Sequence, residues 1–402
     1  MRSYLDILKL QGAWRLIFSS IPGRLSYGMS GLALFFHVEQ ITDSLSVAGY
    51  AIGAFSGISA MTAAARGHAI DRWGQTRPLV VLVPSFTVSC FLVAYIAKDA
   101  TTSVAFAALM GLTAPPINLS MRPLWVALVN PEQVRTAYAL DSIFLNTTSL
   151  VGPVIGTWLA LSFTGVLAMN ITGLLMLIGG IALVTSKLSR EWVPEEKVEG
   201  ELSLFRSPAM RFLAIEAVLL GLGYGLFDVG IPSAATLAGI PQWAAPTLAA
   251  IALGGLIGGA LAGAKFKNIA PAWGVTLTGY IFGIVALPLF LIEPGWQTAV
   301  LVLFAGFPLG MAQVFYLEMV DILRPRGTAV AAMGSMWLIE GSAMAGGNAI
   351  AGFISEHWNP DIVLIGVGLL FIASAVVLHI GTKGVLKPAM VVPHHDPHDP
   401  AD

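Results

Sequence analysis

The chain has 402 residues, 56% of them hydrophobic and 11% charged, with a formal net charge of −2 and a mean hydropathy of +0.79. So small a charged share excludes a water-soluble globular protein, which needs far more charge to cover its surface. A single cysteine, Cys90, excludes an internal disulfide, and no basic patch lies outside the short connections, so no nucleic-acid partner is expected.

Apolar runs of about 20 residues, long enough to cross a bilayer core of roughly 30 Å, recur along the chain. In order they predict twelve membrane-spanning helices over 13–37, 46–65, 79–97, 102–127, 136–163, 165–186, 210–236, 244–265, 272–292, 297–320, 327–354 and 360–381. Helices follow because each one satisfies its own backbone polar groups in lipid. The 43 glycines and 23 prolines suit close packing and kinks in such a bundle.

Charge sets the expected orientation. Arg2, Lys9, Arg15, Arg66, Arg72, Arg77, Arg135, Lys187, Arg190, Arg206, Arg211, Arg324 and Lys383 fall at one side of the alternating connections. Of the basic residues, Lys98 alone falls at the other, which otherwise carries acids such as Glu39, Asp43, Asp99, Glu293, Glu356 and Asp361. Lys and Arg accumulate in cytoplasmic loops, so a multi-pass protein of the cytoplasmic (inner or plasma) membrane with both termini inside is expected.

Residues 187–209 form the one long polar stretch, with six spans on each side. The expected organisation is an N-terminal half over 1–186, a cytoplasmic linker over 187–209, a C-terminal half over 210–381 and a disordered tail over 382–402. A duplicated six-span unit is the mark of a transporter built around a central path. The tail's His394, His395 and His398 are interleaved with Pro393, Pro397 and Pro400, so a solvated segment is expected there rather than a metal site.

Two segments carry a family resemblance. Arg66 to Pro78 reads RGHAIDRWGQTRP, a Gly, an Asp-Arg pair, a second Gly and further basic residues. This resembles the signature loop of the major facilitator superfamily, with Gly67, Asp71, Arg72, Gly74 and Arg77 on the pattern and Gln75 and Thr76 where basic residues are usual. Glycines permit a tight turn there, and the Asp can accept bonds from Arg or a helix N-terminus. The resemblance implies a gate at the cytoplasmic side.

Thr148 to Gly156 reads TSLVGPVIG. It resembles the family's antiporter motif through Gly152, Pro153 and Gly156, which would bend and thin the fifth span. The resemblance implies an all-α fold of two pseudo-symmetric six-helix halves around a central cavity. Within the superfamily the chain looks like the twelve-helix drug:proton antiporters and efflux proteins.

Ionisable groups inside a span are costly and by default functional. Arg24 stands mid-span on a face with Ser20, Tyr27 and Gly31; Glu340 stands mid-span on a face with Met333, Trp337, Met344 and Asn348. A carboxylate in a low-dielectric cavity is pushed toward its protonated form and pulled back by a nearby Arg. Glu340 is therefore the first candidate for proton coupling, with Asp228 second and Asp141 third, and Arg24 is expected as its counter-charge or as a ligand for an anionic substrate. Arg122 and Asp141 are expected to pair across the fourth and fifth spans. Tyr27, Asn118, Asn146, Tyr224, Gln313 and Tyr316 complete an expected substrate cavity, while Glu216 and Glu318 are placed at the membrane boundary.

The expected function is a secondary transporter: a proton-coupled exporter of a small organic molecule working by alternating access, or alternatively a sugar or metabolite transporter. An integral-membrane enzyme is the rival from another class. It is disfavoured because the histidines are scattered and no Ser/His/Asp or H-x-x-x-H arrangement lies in the spans. No G-x-x-x-x-G-K-[ST] loop occurs, so ATP does not drive it. No cofactor and no metal are expected; the expected partners are substrate, protons and membrane lipids, around a monomer.

Overall fold

Residues 7–10, 12–130, 134–192, 204–266, 268–325 and 329–391 are described by the computed structural model. Fourteen α-helices occupy them: α1 Ala13–Thr42, α2 Leu45–Trp73, α3 Thr76–Tyr95, α4 Ala100–Thr113, α5 Ile117–Leu128, α6 Val134–Ser162, α7 Gly165–Thr185, α8 Lys187–Glu191, α9 Pro208–Leu237, α10 Ala244–Lys265, α11 Pro271–Ala286, α12 Trp296–Leu323, α13 Ala329–His357 and α14 Pro360–Thr382. Eleven predicted spans are single helices, the ninth finishing in a 3-10 turn over Leu287–Leu291. The fourth is two helices, α4 and α5, broken at Ala114-Pro115-Pro116, where the prolines cannot donate to the preceding turn.

Nine of these elements are long and apolar enough to cross a membrane by composition alone. The remaining spans, α1, α4–α5 and α13, carry Arg24, the proline break and Glu340 respectively. Polarity at their inner faces costs them hydropathy, and the same polarity builds the sites described below.

Twelve passes bring the first and last spans back to one face of the bundle, here called the terminal face; the opposite one is the far face. Close helix packing uses glycine where backbones meet. A Cβ on Gly152 of α6 would lie 2.6 Å from the Gly28 backbone of α1. A Cβ on Gly221 of α9 would run into the Glu340 carbonyl oxygen of α13. Neither position leaves room for a side chain, so these helices touch backbone to backbone.

The connection between α2 and α3 is shorter than its sequence implied. Gly67 and the Asp71 and Arg72 backbone belong to the last turns of α2, which runs to Trp73. Gly74 alone makes the turn, at φ 77°, a left-handed conformation that favours glycine, and its N–H caps Ile70 O at 2.9 Å. The Asp71 side chain lies outside the described residues; Arg72 and Arg77 are exposed. Gln75, which departs from the basic pattern, is 0% exposed and donates to Ser120 O at 3.1 Å. It pins this connection to α5.

Residues 383–391, expected to belong to a disordered tail, are packed on the bundle. Leu386 and Ala389 are buried against Met210, Leu213 and Leu378, and Lys387–Met390 form a 3-10 turn. Two apolar side chains covering the base of α9 hold the chain there. Residues 392–402, with the three tail histidines, lie outside the described residues.

Candidate functional site: a two-carboxylate cavity

Five helices of the C-terminal half, α9, α11, α12, α13 and α14, enclose a cavity of about 90 Å³. Its polar lining is Glu216, Thr278, Gln313, Tyr316, Glu340 and Ser374, and its apolar lining includes Tyr224, Phe282, Trp337 and Phe371. Helix register explains the convergence. Glu216 stands eight residues into α9, Thr278 seven into α11 and Glu340 eleven into α13, while Tyr316 and Ser374 stand seven and eight residues before the ends of α12 and α14. At about 1.5 Å per residue all five lie roughly 10–17 Å from the terminal face.

Glu216 is 1% exposed. Its Oε1 accepts a bond from Ser374 Oγ at 2.9 Å, and its Oε2 has no partner among the described residues. The Tyr316 hydroxyl is likewise buried and unpartnered. Phe371 packs against Phe282 and Tyr224 at centroid distances of 4.1 and 5.3 Å, forming an aromatic wall. Trp337, 50% exposed, stands at the mouth. Among the described residues, no Lys, Arg or His lines this cavity.

Glu340, Tyr224, Gln313, Tyr316 and Trp337, all expected at a coupling or substrate site, line this one cavity. Glu216 is not at the boundary. Its side chain turns into the bundle because α9 packs on α13 and α14, and its nearness to Arg211 in sequence concealed this. Glu318 is exposed.

The N-terminal half holds a different cluster. Arg24, 2% exposed, donates from Nη2 to both Asp141 carboxylate oxygens at 2.8 and 2.9 Å, and from Nη1 to the Asp141 carbonyl at 3.3 Å. Asn118 Oδ1 accepts from Arg24 Nε at 3.2 Å, and Trp125 Nε1 donates to Asp141 Oδ1 at 2.9 Å. This overturns one expected pairing: Arg24 faces Asp141, not Glu340. The reason is topological, since α1 packs against α6 within its own half through Gly28 and Gly152. The side chain of Arg122 lies outside the described residues.

Beside that cluster, a cavity of about 190 Å³ is lined by Tyr27, Ser59, Arg66, Pro115, Pro116 and Asn118. Arg66, counted from the sequence as a loop cation, points inward instead. Its guanidinium donates to Gly111 O at 2.8 Å and Ser59 O at 2.6 Å, and Tyr27 Oη donates to Pro115 O. The break between α4 and α5 frees carbonyls, and these two side chains satisfy them.

The halves meet along α2 and α13 toward the far face. A Cβ on Gly49 would lie 2.9 Å from Gly352 Cα, and one on Gly53 2.7 Å from Ala345 O. Asn348, expected in the cavity, lies in this seam, fully buried and donating to Ser56 Oγ at 3.2 Å. At its far end Glu356 Oε2 accepts from Ser44 Oγ at 2.5 Å and from the Ser46 N–H at 2.6 Å. Toward the terminal face a Cβ on Gly67 or Gly334 would meet nothing within 4 Å. The halves thus touch backbone to backbone at the far face, while these two glycines face open space at the terminal one.

Asp228 is half-buried and makes no hydrogen bond or ion pair among the described residues; it does not line the cavity with Glu340. Asn146 is exposed and lines neither cavity. In the α6 motif, Gly156 and Gly152 lie on α1, with Pro153 between them.

Twelve spans in two halves, with a polar cavity among the helices of the second, fit a polytopic transport protein. The chain belongs to the major facilitator superfamily, whose family model matches residues 16–345. It is a membrane transporter and not an enzyme. No curated protein matches it. Its fold is similar to that of a peptide transporter POT crystallised with sulfate, at 14% identity and a TM-score of 0.69 over 95% of this chain and 96% of that one. It is similar to a point mutant of the nucleoside transporter NupG, at 14% identity and 0.70 over 92% and 99%. A bacterial homologue of the human lysosomal transporter Spinster, in an inward-facing and occupied conformation, gives 14% identity and 0.66 over 94% and 95%. At these identities the likeness is one of fold.

Proposed function

We propose that the protein is a proton-coupled secondary transporter that exports a small organic molecule across the cytoplasmic membrane by alternating access. The observation that carries this is the pair Glu216 and Glu340 in one enclosed cavity without a cation. A buried carboxylate with no counter-charge is costly unless it holds a proton or a ligand. Such a group can load and unload a proton as water access alternates, which is the chemistry coupling requires. Glu340, the less buried of the two, is the coupling group, and Glu216 joins it in place of Asp228. Asp141 is a fixed partner of Arg24 that orients α1 on α6.

The terminal face is the cytoplasmic one, from the loop charges, so the conformation is open to the inside. Residues 1–186 and 210–381 are the moving halves, joined by 187–209, in a monomer surrounded by lipid. The segment from Gly67 to Arg77 is the gate that closes the cytoplasmic face when Asp71 engages the opposite half. Export is supported by the resemblance of Thr148–Gly156 to an antiporter motif and by the backbone contact Gly152 makes with α1. Uptake of candidate drugs, sugars and organic acids into inverted vesicles, with and without a proton gradient, tests the reading. Accumulation driven by an inside-acid gradient is expected; flux indifferent to the gradient removes proton coupling.

A further inference from the structure

We propose that the cavity between α9, α11, α12, α13 and α14 takes the protonated amino group of an organic cation, with Glu216 and Glu340 accepting its N–H donors. This rests on the transporter reading and adds the substrate class. A carboxylate offers about four acceptor positions, and Glu216 receives one bond, from Ser374 Oγ. Its second oxygen is buried and has no partner among the described residues, so it is open to a donor that a ligand brings.

The charge has to arrive with it too. Two carboxylates and no basic side chain line the cavity. An anion meets repulsion there, and a neutral alcohol supplies a donor but leaves the carboxylate charge unbalanced. An ammonium group supplies both. The wall of Tyr224, Phe282 and Phe371, with Trp337 at the mouth, offers ring faces that stabilise a cation further. A cavity of about 90 Å³ holds an ammonium head and its first carbons, while the remainder of the molecule extends past Trp337. The empty acceptor at Glu216 Oε2 selects primary and secondary amines over quaternary ammonium ions, which have no N–H. As the ammonium ion enters, the proton held by the carboxyl pair leaves to water, so one positive charge replaces another.

Titration calorimetry on the purified, detergent-solubilised protein tests this with four phenyl-bearing probes of similar size: 2-phenylethylammonium, phenyltrimethylammonium, 2-phenylethanol and 3-phenylpropanoate. The expected result is binding of the primary amine, with the other three at least tenfold weaker. Its heat should vary with buffer ionisation enthalpy, which reports proton release. Glu216→Gln should raise the Kd at least tenfold and Trp337→Ala several-fold. Equal affinity for the alcohol or the carboxylate overturns the proposal, as does no amine binding at 10 mM. The wild-type probe series needs no variant to fold. Spin labels at Lys98→Cys and Gln297→Cys in a Cys90→Ser background separate the two levels. A distance that switches with pH while amines fail to bind removes the substrate class alone. One unchanging distance removes the proton-coupled reading.

Discussion

Arg24 and Asp141 form the one buried ion pair among the described residues, and every charged atom of Asp141 has a donor. Removing one partner of such a pair strands the other in a low-dielectric interior, which costs about 3–5 kcal/mol. Arg24→Met should therefore lower the melting temperature sharply, and Arg24→Met with Asp141→Leu should restore most of it. Differential scanning fluorimetry of the three proteins reads the comparison; equal stability of single and wild-type proteins would sink the fixed-pair assignment. Glu340 is the opposite case, a half-buried acid with no cation beside it. Glu340→Gln keeps shape and hydrogen-bonding capacity but removes the titratable charge. Gradient-driven accumulation should fall to background while substrate exchange persists. Glu340 was legible in the sequence because it interrupts an apolar run at mid-span. Glu216 was not, since an acid eight residues into a helix beside Arg211 looks the same whether it faces headgroups or the bundle interior.

At the scale of elements, helix boundaries followed the apolar runs because lipid forces each span to close its own hydrogen bonds. The Pro115-Pro116 break in the fourth span was present in the sequence but hidden inside an otherwise continuous run. What made it tolerable, Arg66 and Tyr27 bonding the freed carbonyls, involves two other helices. The α6 motif has a sharper consequence than its resemblance implied. Even a methyl at Gly152 would sit 2.6 Å from the Gly28 backbone, so Gly152→Ala should force α1 and α6 apart, strain the Arg24–Asp141 pair and lower both stability and transport. Wild-type melting and flux in that variant would refute the close contact. Gly28→Ala is expected to do the same from the other side.

On the scale of the whole molecule, the far-face closure rests on glycine contacts between α2 and α13 and on Glu356 capping the start of α2. Burial opposes the Glu356 charge, but bonds from Ser44 and Ser46, with His357 nearby, outweigh it and hold this carboxyl below its ordinary value of 4.5. A depressed carboxyl contributes fully above the ordinary value and loses its contribution as pH falls through the lowered one. Acidification below about 4.5, or Glu356→Gln at neutral pH, should thus shift the population toward the conformer open at the far face. Distances between spin labels at positions 98 and 297 measure the shift; an unchanged distribution in the variant would show that the glycine seam alone holds the closure.

The sequence by itself determined the class of protein, the number and order of its spans and their grouping by six, because hydropathy and span length are local properties that the bilayer reads directly. It also marked Glu340, Tyr224, Gln313, Tyr316 and Trp337 by their faces on single helices. Which faces meet is not local. Backbone contacts at Gly28, Gly152, Gly221 and Gly352 set the approach of helices distant in sequence, and through them the partner of Arg24, the burial of Glu216 and the inward reach of Arg66. Helix rotation and neighbour choice in a bundle depend on all the packing surfaces together, so only the tertiary structure decided which charges are paired and which two carboxylates are left to a ligand.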